Sequence, residues 1–318
     1  MEVPDATVKT PSLQRLRRMD AKTAFLSTRP WSFTMTFSSV TMGTLMAALI
    51  GKFSPLLYVL TLGGMIAFHA ATNVLNDFFD VRHGVDRAGA PTTKYRLHPA
   101  AFGQTPLSTI FGFSICLYAI TLVAGVYLAF VSSLAILAVV GAGILGSVLY
   151  TADPVVLKAR ALGEVTVFIM WGLLIPLGSY MVQTGVSSWS PIVASLPIGI
   201  LVALVLLANN IRDIEYDGSV GNRTLAVALG GAGAKRVYSV LLGVSYLLVV
   251  VGIIGRLLPV WSLVVFLSAP GARGLVRMFA GEIPDDADPK TAALAFQFAL
   301  LFMGSLVIDI FVPLPLPY

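Results

Sequence analysis

Two clusters of amides and carboxylates carry the chemistry that this sequence can do. The first is Asn73-Val74-Leu75-Asn76-Asp77-Phe78-Phe79-Asp80, continued by Val81-Arg82-His83-Gly84-Val85-Asp86. On a helix, Asn73, Asn76, Asp77 and Asp80 follow the i, i+3, i+4, i+7 rule and share an arc of roughly 100°. The second cluster, Asn209-Asn210-Ile211-Arg212-Asp213-Ile214-Glu215-Tyr216-Asp217, repeats the pattern about 135 residues later, with Asn209, Asp213 and Asp217 spaced for one helical face. Carboxylates at a membrane edge are costly unless they are hydrated, paired or bound to metal. Asp77, Asp80, Asp86, Asp213 and Asp217 offer hard oxygen ligands of the kind that suit Mg²⁺ and a bound phosphate. His83 is the only histidine beside the clusters in sequence, and no partner at zinc spacing accompanies it, which argues against zinc.

The elements that must position these groups are long and apolar. Of 318 residues, 57% are hydrophobic and 12% charged, about half the charge of a soluble domain. That composition predicts an all-α, polytopic membrane protein of nine spans, over about 29–50, 55–79, 106–130, 133–151, 164–183, 190–212, 236–255, 259–280 and 291–313. The span at 259–280 is interrupted by Pro270, Gly271 and Arg273. Residues 1–22 read as a polar, basic arm, an interfacial helix or a disordered tail, with no apolar core of a cleavable signal, and 23–318 as one transmembrane domain. With the N-terminus in the cytoplasm, nineteen of the 21 Lys and Arg residues fall on the cytoplasmic side, leaving Lys52 and Arg256 opposite. Both acidic clusters then lie on the cytoplasmic side. The single cysteine, Cys116, excludes an intramolecular disulfide and reads as a packing residue. The net charge of +5 is spread over connecting segments and gives no nucleic-acid signal.

Lys94, Arg96, Lys158, Arg160 and Arg212 stand on the same side and are candidates to clamp phosphate oxygens. An amphiphile with a diphosphate head and a hydrocarbon tail fits the arrangement: the head meets metal and basic groups, and the tail lies between helices. Those groups would stabilise the diphosphate as its C–O bond ionises. Each element also has a plainer reading. Single aspartates at helix ends are commonly solvated loop residues, Asn73 and Asn209 suit inter-helix hydrogen bonds, and the basic residues suit topology alone.

The motifs resemble the UbiA superfamily of intramembrane aromatic prenyltransferases over about residues 25–313. NVLNDFFDVRHGVD (73–86) resembles the family's NDxxDxxxD signature, with longer spacing before the last Asp, as in its naphthoate branch. NNIRDIEYDGSVGNRTLAVALG (209–230) resembles its DxxxD motif and GKxTLAV tail. RPWSF (29–33) and YTADP (150–154), followed by Leu162-Gly163-Glu164, also resemble the naphthoate branch. The resemblance implies nine helices around a central cavity capped by cytoplasmic loops, and two Mg²⁺ ions bridging a polyprenyl diphosphate. It implies metal contacts from Asn76, Asp77, Asp80 and Asp86 on one side and Asp213 and Asp217 on the other. Asp77, Asp80, Asp213 and Asp217 would then be catalytic. Asn73, Asn76, Lys94, Arg96, Tyr150, Lys158, Asn209 and Arg212 would bind substrate. Thr92–Arg96 departs from the family's RPLxxG pattern, and Asp153 replaces the glycine of YTGGP. The reaction implied is prenylation of an aromatic acceptor, 1,4-dihydroxy-2-naphthoate in menaquinone biosynthesis, with loss of the acceptor carboxylate. Other acceptors within the family are 4-hydroxybenzoate, homogentisate, a glycerol-phosphate lipid and haem. The rivals from other classes are a cation transporter, which would place charges at mid-span, and a lipid-binding membrane protein, which would not need both aspartate clusters.

Overall fold

A computed structural model describes residues 19–96 and 98–314. The arm residues Arg15, Arg17 and Arg18 lie outside the described residues. Among the described residues the chain is helical, with one isolated bridge between Arg160 and Arg223. Helix α1 is Ala21–Ser27, capped by the Asp20 side chain, and a 3₁₀ turn, Pro30–Ser32, leads into α2, Phe33–Ala48. Helix α3 is Pro55–Arg82; Ser54 caps it, accepting from Leu57 N, and Pro55 takes the first helical position, where its missing N–H costs nothing. A short α4, Thr92–Tyr95, lies in the following loop. Helices α5, Leu107–Val131, and α6, Ile136–Thr151, form the expected hairpin. The next span joins α7, Gly163–Phe168, to α8, Ile175–Thr184, through a π-helical stretch, Ile169–Leu174. Helix α9 is Ser190–Arg212, and α10 is Ile214–Ser219. Helix α11, Leu225–Ile254, is broken at Gly230, whose φ of 70° leaves helical space. A 3₁₀ segment, Val260–Ser268, continues into α12, Ala269–Ala280, and α13 is Ala287–Phe311.

Among the described residues, seven helical segments are long and apolar enough to cross a bilayer, and the chain is an integral membrane protein. The expected nine is not reached on that criterion. Helices α2 and α6 each have 16 residues, short of the roughly 20 that a ~30 Å core requires. The interrupted span is continuous because Pro270 sits in the first turn of α12, after the 3₁₀ segment, and not in a helix interior. Cys116 is exposed on α5 and does not pack inside. It shares that surface with Phe111, Ile115, Ile120 and Val123, an apolar exterior suited to lipid.

Helix α9 is the hub. It packs on α11, α13 and α2, and Leu201, Leu204 and Leu207 meet a buried set that includes Tyr238, Phe298, Phe302 and Met42. Lipid supplies no hydrophobic drive for helix pairing, so close approach matters. A Cβ on Gly43 would lie 2.2 Å from Pro176 O, and one on Gly199 would lie 2.4 Å from Gly172 Cα. These contacts set α2 against α8, and α9 against the π-helical stretch.

Candidate active site

A cavity of about 910 Å³ lies among the helices and is lined by both acidic clusters. On α3 the shared face divides. At 100° per residue, Asn76 and Asp77 occupy opposite edges of the arc, with Asp80 and Asn73 between them. Asn73, Asn76 and Asp80 line the cavity, whereas Asp77 does not. Asp77 instead receives a bidentate pair from Arg96, Nη1 to Oδ2 and Nη2 to Oδ1 at 2.9 Å each, and a further hydrogen bond from Arg29 Nη2. Asp77, expected among the metal ligands, is here paired with two guanidinium groups.

Asp80 and Asn76 form a unit with Lys158. Asn76 Nδ2 donates to Asp80 Oδ2 at 2.7 Å, and Lys158 Nζ donates to Asn76 Oδ1 at 2.6 Å and to Asp80 Oδ1. Lys158 sits in a 3₁₀ turn, Leu157–Ala159, entered through Val156 at a φ of 48°. A β-branched residue there is strained, and the surroundings must hold it. Lys158 Nζ also lies 5.9 Å from the centre of the Tyr150 ring, which lines the cavity.

After α3 the chain curls back, with Val85 N and Asp86 N donating to Asp80 O at 2.9 and 3.0 Å. Asp86 accepts from Thr92 Oγ1 at 2.6 Å, from His98 Nε2 at 2.8 Å and from Arg96 Nη2 at 3.4 Å. Burial alone would raise the Asp86 carboxyl, but the His98 and Thr92 hydrogen bonds and the His98 and Arg96 charges bring it below its ordinary value. Asp77, Asp86 and His98 are grouped closely enough to hold a cation; Arg29 and Arg96 already balance the charge there. His98 corrects the expectation that His83 is the only histidine at the site. His83 lies at the end of α3, paired with Asp153 at 3.1 Å and away from the cavity lining.

The second cluster does not lie on one continuous helix. Helix α9 ends at Arg212, and Asp213 takes non-helical angles before α10. Asn209, Asp213 and Asp217 all line the cavity nonetheless. Arg212 donates from Nε to Asp213 Oδ1 at 2.9 Å, from Nη2 to Asn209 Oδ1 at 2.7 Å, and from Nη1 to Asp288. Tyr95 covers it, its ring centre 4.3 Å from the guanidinium carbon and its hydroxyl donating to Asp213 Oδ2 at 3.1 Å. Burial, then the Asp213 charge, raises the Tyr95 hydroxyl above its ordinary range. Tyr216 Oη donates to Val85 O at 2.7 Å and ties the two cluster loops together. Burial, with Asp213 and Asp80 nearby, pushes the Asp217 carboxyl up to about 6, against the hydrogen bond from Asn222 Nδ2 at 2.9 Å. The amide oxygen of Asn222 is buried without a partner among the described residues.

Lys94 sits on the outer side of α4. It is exposed and lies outside the cavity lining, because neighbours on α4 point about 100° apart and Tyr95 takes the inward position. Arg160 donates to Pro154 O at 3.0 Å in an exposed setting. Among the residues sequence reasoning missed, Arg29 and His98 carry no local spacing signal. His69 does: it lies four residues before Asn73 and seven before Asn76, on the cavity face.

The arrangement offers an acidic rim crossed by Lys158, Arg96, Arg29 and Arg212 above a wall containing Met35, Phe68, Met170, Trp171, Val202 and Phe296. A family model described as the UbiA prenyltransferase family matches residues 36–308. The chain is 32% identical to 1,4-dihydroxy-2-naphthoate octaprenyltransferase of Bacillus subtilis (strain 168), over 89% of this chain and 92% of that protein. The fold is similar to the apo structure of a UbiA homolog from Aeropyrum pernix K1, with a TM-score of 0.65 at 18% identity, covering 86% of this chain and 97% of that one. It is also similar to a UbiA homolog from Archaeoglobus fulgidus bound to GPP and Mg²⁺, with a TM-score of 0.63 at 16% identity, covering 91% and 100%.

Proposed function

This chain belongs to the UbiA prenyltransferase family and is a prenyltransferase, and from that premise we propose that it transfers a polyprenyl group from its diphosphate to 1,4-dihydroxy-2-naphthoate with Mg²⁺ as cofactor. The observation that carries the reading is the meeting of two Asn/Asp clusters across one cavity with a cationic rim and an apolar wall. The acceptor is supported by the Bacillus relative's name, and Mg²⁺ by the Archaeoglobus homolog, which is bound to GPP and Mg²⁺.

The donor set fits a hard divalent cation. Asp80, Asp213 and Asp217 are close enough for like charge to raise the Asp217 carboxyl, and the orphaned Asn222 oxygen adds a neutral ligand atom. Asn76, Asp80, Asp213 and Asp217 would hold Mg²⁺, and two such faces suit two ions. When bound, the metal offsets charge collecting on the leaving diphosphate. Asp77 and Asp86 hold Arg96 at the rim, and Lys158 is released from Asp80 to meet phosphate oxygens. The allylic C–O bond breaks with its electron pair leaving on diphosphate. The electron-rich ring carbon bonds to the allylic carbon, and departure of the ring carboxylate as CO₂ returns an electron pair to the ring. Tyr95, stacked on Arg212, covers the rim and limits water.

The distribution of Lys and Arg favours a cytoplasmic N-terminus and site. Nine crossings follow if α6 spans and α2 is lengthened by the turn at Pro30–Ser32. The testing experiment supplies membranes carrying the protein with geranylgeranyl diphosphate, Mg²⁺ and either 1,4-dihydroxy-2-naphthoate or 4-hydroxybenzoate, read by mass spectrometry. A decarboxylated prenyl-naphthoquinol is expected; product from 4-hydroxybenzoate alone would overturn the acceptor.

A further inference from the structure

His69 lies 11 residues before Asp80 on α3, roughly 16 Å deeper along the helix, and lines the cavity. A buried, doubly bonded histidine is ordinarily a core residue, but here the bonding is unequal. Thr36 Oγ1 lies 2.8 Å from Nδ1, while Ser32 Oγ lies 3.3 Å from Nε2. Ser32 Oγ already donates to Arg29 O at 2.7 Å, so it meets Nε2 as an acceptor. Asn73 Nδ2 competes for that same oxygen, also at 3.3 Å. The Nε2–H of His69 is thus held by one long, shared hydrogen bond.

Beside it stands Trp171, ring centres 5.0 Å apart and planes at 70°. Trp171 lines the cavity, and its buried indole N–H has no partner among the described residues. Buried indoles usually find an acceptor. Trp171 belongs to the π-helical stretch Ile169–Leu174, where the extra residue per turn re-aims side chains, a device common at functional sites. Gly172 fixes that stretch against Gly199 of α9. Met35 and Phe296 add flat or flexible apolar surface to the same wall.

We infer that His69 and Trp171 form a subsite for the aromatic acceptor, in which their N–H groups hold a ring oxygen on the edge facing away from the diphosphate. The ligand class is a planar aromatic acid with a ring oxygen meta to its carboxylate. A prenyl tail offers no acceptor for either N–H; against it the Trp171 N–H would stay unsatisfied and the His69 N–H would keep only its long, shared bond to Ser32. The inference rests on the proposed aromatic transfer but is tested without it.

The test is equilibrium binding to the full chain in detergent, without Mg²⁺ or prenyl diphosphate, of two probes, 4-hydroxy-2-naphthoate and 2-naphthoate. They share ring and carboxylate and differ in the one oxygen. Wild type is expected to bind the hydroxyl probe about tenfold more tightly. Trp171→Phe, which keeps an aromatic ring and removes the N–H, should abolish most of that preference, and His69→Asn should do the same. Binding of geranylgeranyl diphosphate with Mg²⁺ should stay within twofold in Trp171→Phe. The inference is overturned by a preference that survives Trp171→Phe, by no preference in wild type, or by weakened prenyl diphosphate binding with the probe preference intact. Should wild type turn over no naphthoate while the probe preference holds and is lost in Trp171→Phe, the subsite stands and only the proposed reaction falls.

Discussion

Asp77→Asn separates a metal ligand from an ion-pair anchor. The Asp77 and Arg96 side chains are 4% and 5% exposed, so solvent screens little of their attraction. Arg96 makes two charged hydrogen bonds to Asp77 at 2.9 Å, and Arg29 adds a third. An Asn keeps one acceptor and turns an NH₂ group toward the guanidinium groups. Removing one partner of a buried ion pair costs about 3–5 kcal/mol, because the other charge remains buried. The melting temperature in detergent should therefore fall by about 5–7 °C. Arg96 should also lose its place at the rim, raising KM for the prenyl diphosphate. The Mg²⁺ concentration for half-maximal turnover should stay within about twofold, since Asp77 does not line the cavity. Asp80→Asn should raise the Mg²⁺ requirement by about tenfold or more, and should also lower the melting temperature, because it leaves the buried Lys158 ammonium without its carboxylate. The assay is turnover across a Mg²⁺ series beside thermal unfolding of the same preparations. A raised Mg²⁺ requirement with unchanged unfolding in Asp77→Asn would refute the anchor role.

Asp217, raised to about 6, gives a pH dependence. In the metal-free protein, the proton-linked stability at Asp217 is full below about 4 and is lost as pH rises through about 6. Mg²⁺ competes with that proton, so the Mg²⁺-dependent gain in melting temperature should be full at pH 7.5 and vanish below about pH 5; a gain independent of pH would count against Asp217 as a ligand. Gly199→Ala places a Cβ 2.4 Å from Gly172 Cα and should destabilise by about 1–3 kcal/mol, whereas Gly141→Ala on α6, with nothing within 4 Å, should leave the melting temperature unchanged or slightly higher. Lys158→Gln removes the cation shared by Asn76 and Asp80 and should lower turnover by about a hundredfold; substituting exposed Lys94 with Gln should change turnover by less than twofold.

The acidic clusters were legible in the sequence because helical spacing is local: positions 73, 76 and 80 reach the cavity by periodicity alone. The same periodicity did not show that Asp77, at the far edge of the arc, turns toward Arg29, because that partner stands 48 residues away. His98 was hidden for the same reason, brought to Asp86 by a loop without period. His69 was within reach, since extending the cluster face one turn inward arrives at it. The position of Lys94 was not legible, because a charge count on a loop does not say which side chain of a four-residue helix turns inward. The spans around α2 and α6 read long because apolar residues continue past the helix ends, through Leu49-Ile50 and Leu134-Ala135. The π-helical stretch has no signature in hydrophobic pattern, as its turns are set by packing of Gly172 on Gly199.

The most direct measurement is prenyl transfer by Asp80→Ala and Asp213→Ala, one variant from each cluster, in preparations shown by thermal unfolding to be folded at the assay temperature and with Mg²⁺ removed and restored. If the two clusters together hold metal and diphosphate, each substitution should abolish product, and wild type should lose activity with EDTA and regain it with Mg²⁺. Product formation retained in both variants, or turnover that continues without a divalent cation, would contradict a site built from both faces.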